Sequence, residues 1–176
     1  ADRLGISRPA VSEMVKRKTL GDKTGGGFGK KGPNGILTLD LKTLEYRPQQ
    51  KAKFESVGAT KGAGSTAEKV RKLLAGTDRA AELARKATYA TLAYSSNRIG
   101  EIADDLVNVD RAMRWGFGWD LGPFETWDAL GVADTVAKMK AAGYTPAPWV
   151  DAMLAALQTA FYGDGTFWDV ASKSVK

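Results

Sequence analysis

The chain has 176 residues, with 26 Lys/Arg, 20 Asp/Glu, and neither cysteine nor histidine. A chain of this length buries roughly 70% of its unfolded surface, enough for one domain with a core that needs no covalent staples. The missing cysteines exclude disulfides and thiolate chemistry and favour a cytoplasmic setting, and the missing histidines remove the commonest general base and metal ligand.

No run of about 18 apolar residues occurs, so no membrane-spanning helix is expected. Residues 1–10 lack the apolar stretch of a signal peptide. The net charge of +6 is uneven. Residues 1–72 hold 16 Lys/Arg and 7 Asp/Glu, whereas residues 73–176 hold 10 and 13. A basic first part suits nucleic acid or an anionic ligand, but equally a solvated surface. The opening ADRLGISRP starts inside a helical pattern without Met or a capped start. That start predicts a part of a longer polypeptide.

Residues 9–18 read as a helix, with Ser7 as its N-cap and Gly21 at its end. Ala1, Gly5, Val11 and Ser12 have the spacing of a repressor helix-turn-helix, in which Ser7, Arg8 and Ser12 would approach DNA. The match is short and its small residues also suit an ordinary helix turn, so nucleic acid is not the expected partner. GDKTGGGFGKKG then reads as a loop. Gly27, Gly29 and Gly32 spell G-x-G-x-x-G, but a dinucleotide site needs a strand before the glycines and a helix after them. Here a helix precedes and a hairpin follows. The glycines are expected to turn the backbone tightly while Phe28 anchors the loop in a core.

Two short β-favouring runs, 36–39 and 44–47, flank 40–43 and predict a hairpin stopped by Pro48. KFESVGATKGAG reads as a linker. A helical body follows. Ser65 and Glu68 have the spacing of a capping box before a helix over 67–75. Thr77 or Asp78 caps the next helix, running to about Asn97, with Leu83, Ala87, Ala90 and Tyr94 as its inward stripe. Ile99, Ile102, Ala103 and Leu106 give another helical stripe, and Asp110 is placed to cap a helix over 111–115 that Gly116 and Gly118 end. Pro123 opens a helix to Leu130, residues 134–142 form another closed by Gly143, and Pro148 starts the last, with Val150, Met153, Leu154, Leu157 and Phe161 on one face. Asp164-Gly165 signals a terminal hairpin.

The stretch 97–131 also holds three of the five tryptophans, Trp115, Trp119 and Trp127, so a core or an interface is expected to centre there. Glu101, Asp104, Asp105 and Asp110 could be read as an acid–base or cation site, but caps and surface pairs account for carboxylates at these positions. Asn97-Arg98 sits at a helix end, where local capping and an ion pair with Glu101 or Asp105 are expected.

Taken in order, Asn97-Arg98, Glu101, Asp110, Gly122-Pro123-Phe124 and the Asp128 to Gly131 close resemble the C-terminal helical domain of 3-hydroxyacyl-CoA dehydrogenases. Gly21-Asp22-Lys23-Thr24-Gly25-Gly26-Gly27-Phe28 is similar to that family's G-x-K-x-G-x-G-F-Y, with Gly29 in place of Tyr. The resemblance implies a mainly α fold of the 6-phosphogluconate dehydrogenase C-terminal-like type with a β-hairpin insertion. It divides the chain into the tail of a first helical unit (1–31), a hairpin and linker (32–65) and a second unit (66–176). It implies a parent that oxidises 3-hydroxyacyl-CoA with NAD in fatty-acid β-oxidation, whose His–Glu pair and substrate Ser lie in a Rossmann domain outside this sequence. No catalytic, cofactor-binding or metal-ligating residue is carried over, because Asn97 matches the substrate-holding Asn by position in the repeat and not by role. Gly25, Gly27, Phe28 and the residues of 97–131 named above are expected to be structural. The implied partners are acyl-CoA in the parent, the Rossmann domain and a second copy in a homo-oligomer. A pure assembly module built on the tryptophan-rich stretch is the other reading.

Overall fold

A computed structural model describes residues 8–176, so Ser7 and the start of the helix-turn-helix match lie outside the described residues. The chain divides into two compact units, Ala1–Ala52 and Lys53–Lys176. Among the described residues are eight α-helices and two small antiparallel sheets. The expected mainly α architecture with a small β insertion is what forms.

In the first unit, α1 (Arg8–Lys16) buries Ala10 and Met14. It stops where Lys18 turns left-handed (φ 57) and the Thr19 N–H donates back to the Met14 carbonyl at 2.9 Å. A three-residue turn, Asp22–Thr24, leads to Gly25 at φ 84, and Gly21 pairs with Gly26 across it. Three strands follow in the order β1 (Gly29–Gly32), β2 (Gly35–Leu39), β3 (Tyr46–Pro48). The β2–β3 hairpin is the one expected, with Thr38 opposite Arg47. Leu44 is not in the strand. It turns at φ 58, while Asp40 accepts the Lys42 and Thr43 N–H groups. β1 occupies part of the expected loop, because GKKG has no apolar alternation to announce a strand and β2 supplies its pairing. Pro48 is tolerated at the end of an edge strand.

In the second unit, part of the expected linker is a helix, α2 (Glu55–Ala59). Asp78 explains it. Its carboxylate caps α4 (Arg79–Ser96) through the Ala81 N–H and also accepts from the Ser56 N–H at 2.9 Å and the Ser56 hydroxyl at 2.7 Å. Ser65 caps α3 (Thr66–Ala75) by accepting from the Glu68 N–H, and Glu68 reaches back to the Gly64 N–H. The expected inward stripe of α4 is corrected. Leu83 and Tyr94 are exposed, and Ala81, Tyr89, Leu92, Ser95 and Ser96 are buried instead. The alanine-rich helix offers two apolar faces, and packing chose the other one.

The expected helix through Ile99 and Ala103 does not form either. Gly100 turns at φ 82, Ile99 bridges Ala103, and α5 (Leu106–Phe117) begins only after Asp105, which accepts the Asn108 N–H at 2.7 Å. Asp110 therefore lies inside α5 and caps nothing on its own helix. The starts of α6 (Pro123–Leu130) and α8 (Pro148–Ala155) fall at their prolines, and α7 is Val132–Ala141. Leu157, expected on one face of the last helix with Val150 and Met153, instead lies beyond the end of α8 at φ 63 with its side chain in solvent. Phe161 re-enters the core beyond the helix, and Gly165 turns the segment so that Tyr162 bridges Phe167. β4 (Trp168–Asp169) and β5 (Ser174–Val175) close the chain.

The core is a ring cluster. Phe161 lies 5.1 Å from Phe124, 5.3 Å from Trp127 and 5.8 Å from Trp149, centroid to centroid. Full burial of a Phe124- or Phe161-sized side chain contributes about 1.5–3 kcal/mol by leaving water. Of the three tryptophans in 97–131 only Trp127 is core; Trp115 and Trp119 are exposed.

Candidate functional site

Asp110 joins three elements from a buried position on α5. Its carboxylate accepts the Phe124 N–H and the Glu125 N–H, each at 2.9 Å, and so caps the first turn of α6. The Tyr162 hydroxyl donates to the same carboxylate at 2.9 Å. Burial pushes the Asp110 carboxyl up to about 6, against the opposing pull of these donors. Burial and the facing carboxylates push the Tyr162 hydroxyl well above its ordinary value, so it stays a donor. Gly122 follows from this packing. A Cβ there would sit 2.4 Å from the Asp110 Cβ, so only glycine lets α6 start on α5. The N–H of Gly122 is taken by Glu125 at 2.7 Å, and Glu125 also pairs with Arg114 at 2.8 Å.

One turn along α6, Asp128 repeats the device. It accepts the Phe161 N–H at 2.8 Å and the Tyr162 N–H at 3.0 Å, and burial raises its carboxyl. Gly131, at φ 85, then lets α7 start directly after α6. Asp110, Gly122, Pro123, Phe124, Asp128 and Gly131 thus form one frame. Tyr162, which sequence reasoning missed as part of it, ties Asp110 to Asp128 through its hydroxyl and its N–H, and its place after the last helix gave no periodic signal.

Asn97 and Arg98 lie apart from that frame. The Asn97 amide donates to the Ala93 carbonyl at 2.8 Å and the Thr145 carbonyl at 3.1 Å, fastening the end of α4 to the loop before α8. Arg98 pairs with Glu101 and stacks over Tyr94 at 5.3 Å. Ser96, also missed, is fully buried. Its hydroxyl donates to the Ala93 carbonyl and accepts the Ala147 N–H, while the Trp149 indole N–H donates to the Ser96 carbonyl. Of the acidic cluster, Glu101 is in its ion pair and Asp105 is a cap; among the described residues no three carboxylates converge as a cation site would need.

In the first unit, Gly25 supplies the left-handed turn, and a Cβ on Gly27 would press within 3.0 Å of Gly21. The Gly27 carbonyl accepts the Tyr46 hydroxyl at 2.7 Å. Phe28 does not anchor a core; it is half exposed at the rim of an open apolar cleft of about 400 Å³. A cleft of about 450 Å³ in the second unit runs past Arg71, Arg85, Tyr89, Thr135 and Lys138. Of the motif residues of 97–131, Leu130 alone lines it. Its cations are engaged: Arg71 donates to the Ala129 carbonyl, Arg85 to the Leu74 and Gly76 carbonyls, and Lys138 to Asp134. No helix among the described residues is long and apolar enough to cross a membrane.

No family model matches the chain, and no solved structure matches it. A curated protein of Bacillus subtilis (strain 168), described as a probable 3-hydroxyacyl-CoA dehydrogenase, is 40% identical over 152 residues. The match covers 86% of this chain and 19% of that protein, in its C-terminal part. The resemblance carried by the ordered motifs therefore holds: this chain is related in sequence, over most of its length, to the C-terminal part of a 3-hydroxyacyl-CoA dehydrogenase.

Proposed function

We propose that the chain is the C-terminal portion of an NAD-dependent 3-hydroxyacyl-CoA dehydrogenase that acts in fatty-acid β-oxidation in the cytoplasm. Residues 1–31 close a first helical unit, 32–65 are an insertion, and 66–176 form a second unit duplicated from the first. The parent takes NAD and acyl-CoA on a Rossmann domain and a cleft outside this chain. This portion holds the walls of that cleft or a contact between subunits in place, and alone it is inactive. The single observation that carries the reading is the 40% identity over 86% of the chain. Two further observations support a framework role. The motif carboxylates Asp110 and Asp128 are spent on backbone N–H groups, and the chain has no histidine to take a hydroxyl proton.

The test supplies (S)-3-hydroxybutyryl-CoA and NAD to the parent polypeptide and to residues 1–176 alone, and follows NADH. The parent is expected to form NADH and the isolated chain none. A parent that leaves this substrate unoxidised removes the dehydrogenase reading, and turnover by the isolated chain removes the framework reading.

A further inference from the structure

Two spacings in the second unit bring polar and charged groups to the walls of one cleft. Arg85 and Tyr89 are four residues apart on α4, and Thr135 and Lys138 three apart on α7, so each pair shares a helix face. Arg71 joins them from α3, and all five line the cleft of about 450 Å³. Leu74, Ala75 and Leu130 supply its apolar wall. A narrower cleft of about 190 Å³, past Lys86 and Tyr144, shares Arg85 and Tyr89 with it.

Two of these side chains are buried with their polar atoms unused. Thr135 is 3% exposed and Tyr89 6%, and neither hydroxyl makes a hydrogen bond among the described residues. Neither oxygen is sealed inside the core, so each opens on the cleft that its residue lines. Buried hydroxyls are normally paired, and one left open at a cavity points to a ligand that pairs it. The charge points the same way. Lys138 is paired with Asp134, and Glu82, beside Arg85 on α4, is taken by Lys86. Arg71 and Arg85 are held by main-chain carbonyls and, among the described residues, by no carboxylate. A carbonyl fixes a guanidinium in place without cancelling its charge.

We propose that this cleft binds a small organic phosphate, whose phosphate monoester lies between Arg71 and Arg85 and accepts from the Thr135 and Tyr89 hydroxyls. Its organic body lies against the Tyr89 ring and the apolar wall of Leu74 and Leu130. Two uncancelled guanidiniums match the nearly double charge of a phosphate monoester, and a carboxylate brings only one. The size of the cleft suits a body as large as a nucleoside, and a bare phosphate would leave the apolar wall uncovered. The site does not depend on the parent's reaction, so a parent that forms no NADH leaves it standing.

The probes are adenosine 5′-monophosphate, adenosine and inorganic phosphate, each titrated at low salt into the 176-residue chain and read by calorimetry and phosphorus NMR. The monophosphate is expected to bind, with adenosine and inorganic phosphate each weaker by about tenfold or more. Thr135→Val and Tyr89→Phe remove only the unpartnered hydroxyls. Their melting temperatures should hold or rise, while each weakens monophosphate binding by about fivefold to tenfold. Arg71→Gln, checked by circular dichroism for retained folding, should weaken it by about tenfold or more. Arg79→Gln, the same charge change outside the cleft, should alter it by less than about twofold. Absence of monophosphate binding at millimolar concentration overturns the proposal. Equal affinity for inorganic phosphate makes the cleft a bare anion site and overturns it, as does equal affinity for adenosine. Binding that ignores all three cleft variants places the ligand elsewhere and overturns it too.

Discussion

Replacing Asp110 should do more damage than replacing any exposed carboxylate of the chain. Asp110→Ala strands three donors that now converge on one buried carboxylate: the Phe124 N–H, the Glu125 N–H and the Tyr162 hydroxyl. An unsatisfied buried donor costs about 1–3 kcal/mol, and the first turn of α6 loses its side-chain cap, so the variant should lose about 3–5 kcal/mol. Asp110→Asn keeps one acceptor and should lose less, about 1–3 kcal/mol, because its amide N–H groups face other donors. The two also differ in pH dependence. The folded-state carboxyl titrates at about 6, above its ordinary value of 3.8, so the folded chain holds this proton more tightly than the unfolded one. The contribution of protonated Asp110 is fully present below about pH 4 and is lost as pH rises through about 6. A rise of that size is equivalent to about 3 kcal/mol of pH-dependent stability. Urea unfolding followed by tryptophan fluorescence, at several pH values between 4 and 7, reads this directly. Wild type should lose stability across that window relative to Asp110→Asn. Parallel profiles for the two proteins, or a loss below about 1 kcal/mol in Asp110→Ala, would refute the reasoning.

Gly122→Ala should cost about 3 kcal/mol or more, because its methyl would collide with Asp110, whereas Gly116→Ala, with open space around it inside α5, should gain about 0.5–1 kcal/mol; thermal melts compare them. Asp128→Ala should speed hydrogen exchange across residues 161–168, whose first two N–H groups it holds, while leaving α1 unchanged. Asp78, held down to about 2 chiefly by the Ala81 N–H, stabilises above its unfolded value of 3.8 and loses that contribution as pH falls through about 2. Acid titration should therefore unfold α2 of wild type progressively in that window, and Asp78→Asn should show faster exchange in α2 already at neutral pH. Trp127→Ala should cost about 3–5 kcal/mol by emptying the centre of the ring cluster, measured by urea unfolding followed by circular dichroism.

What the sequence announced were features whose signal is local. Pro123 and Pro148 mark helix starts because proline preorganises the first turn, and Ser65 and Asp78 mark caps because their oxygens have N–H partners within three residues. What it concealed depends on distant partners. Asp110 reads as a cap for its own neighbours, yet the N–H groups it serves are 14 and 15 residues on. Leu83 and Tyr94 have correct helical spacing, but periodicity cannot choose between two apolar faces of an alanine-rich helix. α2 was hidden because its anchor, Asp78, lies 22 residues downstream of Ser56. β1 was hidden because a strand of glycines and lysines is held by its neighbour's backbone. Asp110, Gly122, Phe124 and Asp128 were expected to be structural, but the contact that ties them to the end of the chain was hidden, since only the fold brings Tyr162 onto Asp110.

The frame has a consequence for chemistry. Asp110 accepts two backbone N–H groups and a tyrosine hydroxyl, three of a carboxylate's roughly four acceptor sites, and through them it positions the start of α6. The Asn97 amide N–H groups donate to two backbone carbonyls and hold α4 against the loop that leads into α8.

The most direct test of the proposed framework role is the kcat of the proposed parent dehydrogenase carrying Asn97→Ala, measured with its melting temperature. A lowered melting temperature and a kcat within about twofold of wild type are expected, because the Asn97 amide is held by backbone carbonyls. A loss of kcat of about a hundredfold or more at an unchanged melting temperature would contradict the framework role and make Asn97 part of the chemistry.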